Sequence, residues 1–311
     1  MKIWTRDETR SALPFDRLIP ALKDMFRHGC EVPPRHVHAL PADGGENTVL
    51  IMPAWQPGGL LGIKTVNVFP GNQRRGLPGL HSLYALFDAE TGQPLAMLDG
   101  DEITSRRTAA ASALAASYLA PAMSRTLLVV GSGRVGSLLA EAYRTVLPIA
   151  HVMVWSRDGA GAQALAAHLR AQGIEARAET DLASAVAQAD VVSCATLATQ
   201  PLIHGAWLRS TSHLDLIGGF TPAMREADND CFVGARIYVD TAEALAKSGD
   251  LLEPMAQGVL RAGDIAGDLA RLVRGEAKGR GDGVGRTVFK SVGTALEDLA
   301  AATLVYRSTQ A

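Results

Sequence analysis

Cysteine is scarce. The 311 residues hold three, Cys30, Cys194 and Cys231, with no CxxC spacing. That excludes a disulfide frame or a zinc ribbon and fits reduced thiols in a cytoplasmic protein. An excess of one charge is also missing: 30 basic against 32 acidic residues leave a formal charge of −2. This argues against a nucleic-acid or membrane-surface partner and leaves room only for a local basic pocket. No uninterrupted apolar run is long enough to span a bilayer. The opening Met1-Lys2-Ile3-Trp4-Thr5-Arg6-Asp7 carries charge where a signal peptide needs an apolar core. Repeats and low-complexity tracts are absent. Aromatics make up only 5% of the chain, yet the hydrophobic share of 47% is ample for a buried core. The length suits two domains or one large one.

What is present changes character along the chain. Leu13 to Arg27 places Leu18, Ile19, Leu22, Met25 and Phe26 at helical spacing. Strands are expected at Val49–Pro53, Leu61–Val68 and Leu83–Asp88, with turns at Pro57-Gly58-Gly59 and Glu90-Thr91-Gly92. Strands joined by turns predict an antiparallel sheet. An alanine-dominated helix is expected from Ser105 to Ala120, ended by Pro121. From Arg125 strands and helices alternate. Strands are expected at 126–130, 151–155, 191–194, 213–217 and 236–239, and helices at 135–146, 162–172 and 182–188. This alternation predicts a parallel sheet covered by helices. The tail from Thr287 to Ala311 is read as mostly helix, starting near Gly293.

The first strand of the alternating region runs into Gly131-Ser132-Gly133-Arg134-Val135-Gly136. A GxGxxG pattern alone is weak, but here it follows an apolar strand and opens an amphipathic helix, as a dinucleotide fold requires. Gly131 allows the tight turn, Gly133 lets a pyrophosphate approach the backbone, and Gly136 lets the helix sit close to the strand. Free N–H groups and the helix dipole then favour the phosphates. The next strand ends Val154-Trp155-Ser156-Arg157. An NAD enzyme usually has Asp or Glu there, about 20 residues on, for the ribose hydroxyl. A hydroxyl and a guanidinium suit a 2′-phosphate instead, so NADP(H) is favoured and NAD(H) remains open. Asp158, slightly late, could still face a ribose.

Several longer stretches resemble the ornithine cyclodeaminase/mu-crystallin family. They are IKTVNVFPGN at 63–72, LYALFDAETGQPLAMLDGDEITSRRTAAASALAASYL at 83–119, LLVVGSGRVG, VMVWSRD, SCATLATQPLI at 193–203 and VFKSVGTALEDLAAA at 288–302. The resemblance covers nearly the whole chain. It implies a Rossmann-type doubly wound parallel sheet at 123–293. Around it would lie a discontinuous α+β substrate and dimerisation domain, 1–122 with 294–311. It further implies a homodimer and a small imino- or amino-acid substrate whose carboxylate is held by Arg35, Lys64 and Arg107. Lys64, a lysine in an apolar strand among other cations, would have a lowered pKa and handle a proton. His81 would line the substrate pocket. His36, His38 and His81 match no strong zinc spacing, and the family chemistry needs no metal. On the nucleotide side the resemblance adds Thr108 at a helix start near the phosphates. Ala195, Thr196 and Leu197 would lie along the nicotinamide ribose, Gly219 at the ring, and Lys290 and Gly293 would close over it.

One departure bears on the reaction. Cyclodeaminases of this family carry an aspartate after a Gly-Gly pair. Here Phe220 follows Gly218-Gly219, and phenylalanine cannot accept a proton. Asp215 and Asp228 lie too far along the chain to replace it naturally. The ketimine reductase branch is the leading expectation: reduction of Δ1-pyrroline-2-carboxylate or its piperideine analogue to L-proline or L-pipecolate. Ornithine cyclodeaminase, alanine dehydrogenase and a mu-crystallin-like ligand-binding protein stay open.

Overall fold

The structure, a computed structural model, describes residues 1–42, 45–281 and 285–308, so residues 309–311 of the expected C-terminal segment lie outside it. The chain divides into two units, Met1–Arg107 with Thr294–Ala311, and Thr108–Gly293. The division falls inside a helix, earlier than the 122/123 boundary read from the sequence.

The first unit opens with β1 (Lys2–Ile3), α1 (Arg6–Ser11) and α2 (Phe15–His28). Then come β2 (His36–Ala42), β3 (Gly45–Trp55), β4 (Leu60–Val68), β5 (Leu80–Asp88) and β6 (Pro94–Asp99). They form one sheet in the order β1-β6-β5-β4-β3-β2, antiparallel except for β1 against β6. Period two is plain in β4. Gly62, Lys64 and Val66 are buried, whereas Leu61, Ile63 and Thr65 on the other face are half-buried. The expected antiparallel sheet is present, with more strands than its hydrophobic runs announced.

Next, α3 (Gly100–Leu119) crosses from one unit to the other. It starts five residues before the alanine run suggests. The Asp99 carboxylate accepts the Glu102 N–H at 2.8 Å and caps the start. Arg107 and Thr108 therefore sit within the helix and not at its beginning. Residues 109–116 are all at most 2% exposed; small side chains let neighbours approach this helix from every side. Its alanines are core of the chain itself, not a surface for a second copy.

The second unit runs β7 (Thr126–Val130), α4 (Gly136–Val146), β8 (His151–Trp155), α5 (Gly159–Ala171), β9 (Glu175–Ala178), α6 (Leu182–Gln188) and β10 (Val191–Cys194). It continues with β11 (His213–Leu216), β12 (Arg236–Val239), α7 (Ala244–Lys247), α8 (Gly249–Ala256), β13 (Ile265–Asp268), α9 (Leu269–Arg274) and β14 (Thr287–Lys290). All eight strands are parallel, in the order β13-β12-β14-β11-β10-β7-β8-β9. The chain leaves β7 toward β8 and β9, then returns to build outward from β10. That reversal between β7 and β10 is the switch point of a doubly wound Rossmann-type sheet. The sequence reading missed one strand here. Residues 287–290, expected within a mostly helical tail, form β14, fully buried between β11 and β12. Four residues buried on both faces show neither period.

Finally, α10 (Ala295–Arg307) returns to the first unit and packs on α2, β3 and β4. Among the described residues, no helix is long and apolar enough to cross a membrane.

Candidate active site

In the first unit, the register lines up Met52 of β3, Lys64 of β4 and Tyr84 of β5 on the buried face. Arg35, half-buried, lies one residue before the His36–Ile51 pair and so continues this row. A Cβ at Gly62, on the same face, would overlap the Tyr84 hydroxyl. The glycine before Lys64 thus makes room for the phenol ring.

Lys64 is 2% exposed, and its Nζ lies 2.6 Å from Asp298 Oδ2. Arg107 Nε donates to Asp298 Oδ1 at 2.9 Å, and its Nη1 donates to Glu297 Oε2 at 2.6 Å. Asp298 therefore bridges the two cations. Both acids stand in the first turn of α10, where the helix dipole favours negative charge. Burial pulls the Lys64 ammonium down, to about 8, although Asp298 pushes the other way. Burial alone would raise Asp298, but Lys64 and Arg107 hold it below the usual carboxylate range. Against the burial penalty, Asp298 and Glu297 hold Arg107 above its ordinary value. Of the three cations expected to hold a carboxylate, Lys64 and Arg107 have buried acidic partners that the sequence reading did not include.

Sequence reasoning missed Glu297 and Asp298. The signal was available in Leu296-Glu297-Asp298-Leu299-Ala300-Ala301-Ala302: two carboxylates heading a helix otherwise fit only for a core. The structure does not bring His81 into this group. It is exposed, pairs with Asn67 and points to the sheet face opposite Lys64. His36 and His38 are exposed and stack with ring centroids 6.4 Å apart. Among the described residues, no group of three His, Cys, Asp or Glu side chains could hold a metal ion.

In the second unit, Gly131 has φ +106°, and a Cβ there would come within 2.6 Å of the Ala195 carbonyl oxygen. A Cβ at Gly136 would overlap the Gly131 carbonyl, whereas nothing lies within 4 Å of one at Gly133. The turn is thus closed below and open above Gly133, and no side chain caps α4 after Val135. This fits a pyrophosphate seated on backbone N–H groups. The same turn lies against Thr196, whose Cγ2 would be 3.1 Å from a Cβ at Gly131. Ser132 and Ser156 meet at the first turn of α5: a Cβ at Gly161 would sit 2.5 Å from Ser132 Oγ and 3.3 Å from Ser156 Oγ. Arg157 is exposed. The Ser156 hydroxyl donates to the Asp158 carbonyl, and the Asp158 carboxylate accepts the Ala160 N–H at 3.1 Å, capping α5. Arg134 and Val135 complete the turn, and Leu197 is exposed on the loop after β10.

Lys290 does not stand over that surface. It is fully buried at the end of β14, with Nζ 3.1 Å from Asp250 Oδ2. Gly293 has φ +78°, and its N–H donates to Asp240 at 2.6 Å. Beside Lys290 lies a second feature the sequence reading missed. Glu226 Oε1 accepts from both the N–H and the hydroxyl of Thr196, each at 2.7 Å, and Oε2 accepts the Gly218 N–H at 2.7 Å. Asp250 Oδ1 in turn accepts the N–H groups of Glu226 and Ala227, at 2.7 and 3.1 Å. A Cβ at Gly219 would overlap Asp250 Oδ2, so the Gly-Gly turn rests directly on this carboxylate. Burial pushes Glu226 up; Lys290 offsets part of that and Asp250 adds to it.

Phe220 is 47% exposed after that turn. Neither nearby aspartate substitutes for an acid there. Asp215 is fully buried in β11, bonded to Tyr143, Ser193 and Ser112. Asp228 accepts the Gly205 N–H and pairs with His204.

The profile of the ornithine cyclodeaminase/mu-crystallin family matches residues 3–311. The Δ1-pyrroline-2-carboxylate reductase of Paracoccus denitrificans is 42% identical, over 91% of this chain and 90% of its own. A solved structure of the Thermococcus litoralis Δ1-pyrroline-2-carboxylate reductase, in complex with NADH and L-proline, superposes with TM-score 0.93 at 30% identity. It covers 100% of this chain and 98% of that one. An archaeal alanine dehydrogenase dimer with bound NAD superposes with TM-score 0.91 at 29% identity, covering 99% and 95%. With that profile matched over residues 3–311, this chain belongs to the ornithine cyclodeaminase/mu-crystallin family.

Proposed function

We propose that the chain is a reductase of cyclic ketimine carboxylates. It would convert Δ1-pyrroline-2-carboxylate, or the six-membered piperideine analogue, to the cyclic amino acid at the expense of NADPH or NADH. The observation that carries this reading is buried Lys64, held by Asp298 with its ammonium brought down to about 8. Reduction of C=N takes one hydride to carbon and one proton to nitrogen. The dinucleotide, when bound, supplies the hydride. Lys64 keeps a proton at Nζ at neutral pH yet releases it more readily than an ordinary lysine. Arg107, fixed by two carboxylates, and Arg35, in the Lys64 row, supply positive charge for a substrate carboxylate. Gly131, Ser132, Gly133, Arg134, Val135 and Gly136 would hold the pyrophosphate. Thr196 and Gly219 would face the nicotinamide half. Phe220 in place of an acid favours the reductase over the ammonia-releasing cycle.

The phosphorylated dinucleotide is favoured. Arg157 is exposed at the end of β8, and the carboxylate of the next residue, Asp158, is committed to capping α5. Arg157→Ala is expected to raise KM for NADPH about tenfold and leave KM for NADH within about twofold. Equal effects on both cofactors would remove Arg157 from 2′-phosphate recognition. A homodimer and a cytoplasmic location, with three unpaired thiols, belong to the same reading.

The test is purified protein with NADPH or NADH and each imine, followed at the cofactor absorbance band. Turnover of one or both imines is expected. No turnover, together with ammonia release from L-ornithine or reduction with pyruvate plus ammonia, overturns the reading in favour of a cyclodeaminase or an alanine dehydrogenase.

A further inference from the structure

We propose that Glu226, backed by Asp250 and Lys290, is a positioning residue for the nicotinamide half of the bound dinucleotide. Its carboxylate clamps the ends of β10 and β11 into the floor on which that half rests. The inference builds on the dinucleotide-dependent function proposed above.

The topology sets where each half goes. The pyrophosphate seat is the β7–α4 turn, and the end of β8 reads the adenosine ribose. Across the switch point, the other half extends over the ends of β10 and β11. Glu226 acts on those two ends at once. Thr196 is two residues past β10 and Gly218 two residues past β11, and one carboxylate takes N–H groups from both. The Thr196 hydroxyl adds a third bond. Thr196 also lies against Gly131, so the clamp reaches the pyrophosphate turn through direct packing. Asp250 fixes the Glu226 backbone, and Lys290, at the end of neighbouring β14, anchors Asp250.

All three side chains are 0% exposed. Burying two carboxylates and an ammonium is costly, and apolar residues of similar volume would hold a core at least as well. Their bonds converge on strand-end loops of the ligand side, where a fixed backbone counts for more than packing. None of the three reaches solvent, so each acts through the loops it holds and not by touching the ligand.

Glu226→Gln tests the clamp. The amide can still accept from Thr196, but its NH2 faces the Gly218 N–H, donor against donor. Titration calorimetry on the full chain would use NADH, NADPH and ADP-ribose, which is NADH without the nicotinamide. The variant should lose about tenfold in affinity for the dinucleotides and stay within about threefold for ADP-ribose. Asp250→Asn, acting one bond further away, should show the same split with a smaller loss, and carries the test should the first variant not fold. Parallel loss for dinucleotide and ADP-ribose means a general defect of the unit and overturns the clamp; so does wild-type affinity for all three. A wild-type chain that binds neither dinucleotide removes the proposed function and the clamp together.

Discussion

At the scale of single residues, Asp298 decides the state of Lys64. It is the closest opposite charge, and it opposes the burial that lowers the lysine. Asp298→Asn keeps the volume and removes that charge. The lysine then falls further below about 8 and gives up its ammonium at lower pH. If Lys64 holds the proton used on the imine, the alkaline limb of kcat/KM must move toward acid, with kcat/KM down about 100-fold at pH 8. Breaking one side of a buried ion pair should also cost about 3 kcal/mol of stability. A pH–rate profile of the variant checks this; an unmoved alkaline limb would assign that limb to another group. Lys64 was legible in the sequence because a lysine inside an apolar strand needs a reason. Asp298 was missed, because acids in a first helical turn ordinarily answer to the dipole and face water. The apolar run after it was the one hint that this turn is buried, and the fold shows that it is. The same holds for Glu226 and Asp250, which look like loop acids until β10, β11 and β14 are brought side by side.

At the scale of elements, β11 carries two buried titratable groups with opposite tendencies. Burial raises Asp215 to about 6, although Ser193, Tyr143 and Ser112 donate to it. Burial lowers His213 to about 3, with Arg280 adding to the effect. Between pH 4 and 6 the folded chain keeps the Asp215 proton that the unfolded chain has lost, so this group's contribution falls as pH rises. His213 does the reverse: the unfolded chain binds its proton first, so stability is lost as pH falls from about 6.5 toward 3. The two slopes largely cancel in the wild type. Asp215→Asn should therefore leave a Tm that climbs more steeply from pH 4 to 6 than the wild type does, and His213→Gln one that declines across the same window. Calorimetry of the three proteins measures it; parallel curves would show that neither group titrates on folding. Strands such as β11 were legible as apolar runs, and the parallel order followed from their alternation with helices. β14 was hidden because Thr287 to Lys290 is four residues long, ends in a lysine and precedes a helix.

At the scale of the whole molecule, the two-unit division was legible because hydrophobic periodicity changes near residue 125, and because the family resemblance returned the tail to the first unit. The alanine-rich helix and the apolar tail fit a dimer contact on composition, yet α3 and α10 bury those alanines in the chain's own core. For the homodimer proposed above, the sheet face turned away from Lys64 offers an apolar surface. Ile51, Ile63, Thr65, Ala85 and Met97 are only half-buried there, and Leu83 is 45% exposed. The register places them side by side: Thr65 between Ile51 and Leu83, and Ala85 between Ile63 and Met97. A contiguous apolar patch on an otherwise well-charged chain marks a contact, and a two-fold axis through a sheet lets one patch serve both copies. Ile63→Glu with Leu83→Glu puts two carboxylates into that patch. Both positions border solvent in the single chain, so the fold should survive. Light scattering after gel filtration should report a dimer for the wild type and a monomer for the double variant, with far-UV circular dichroism unchanged. A double variant that stays dimeric would move the interface elsewhere on the molecule.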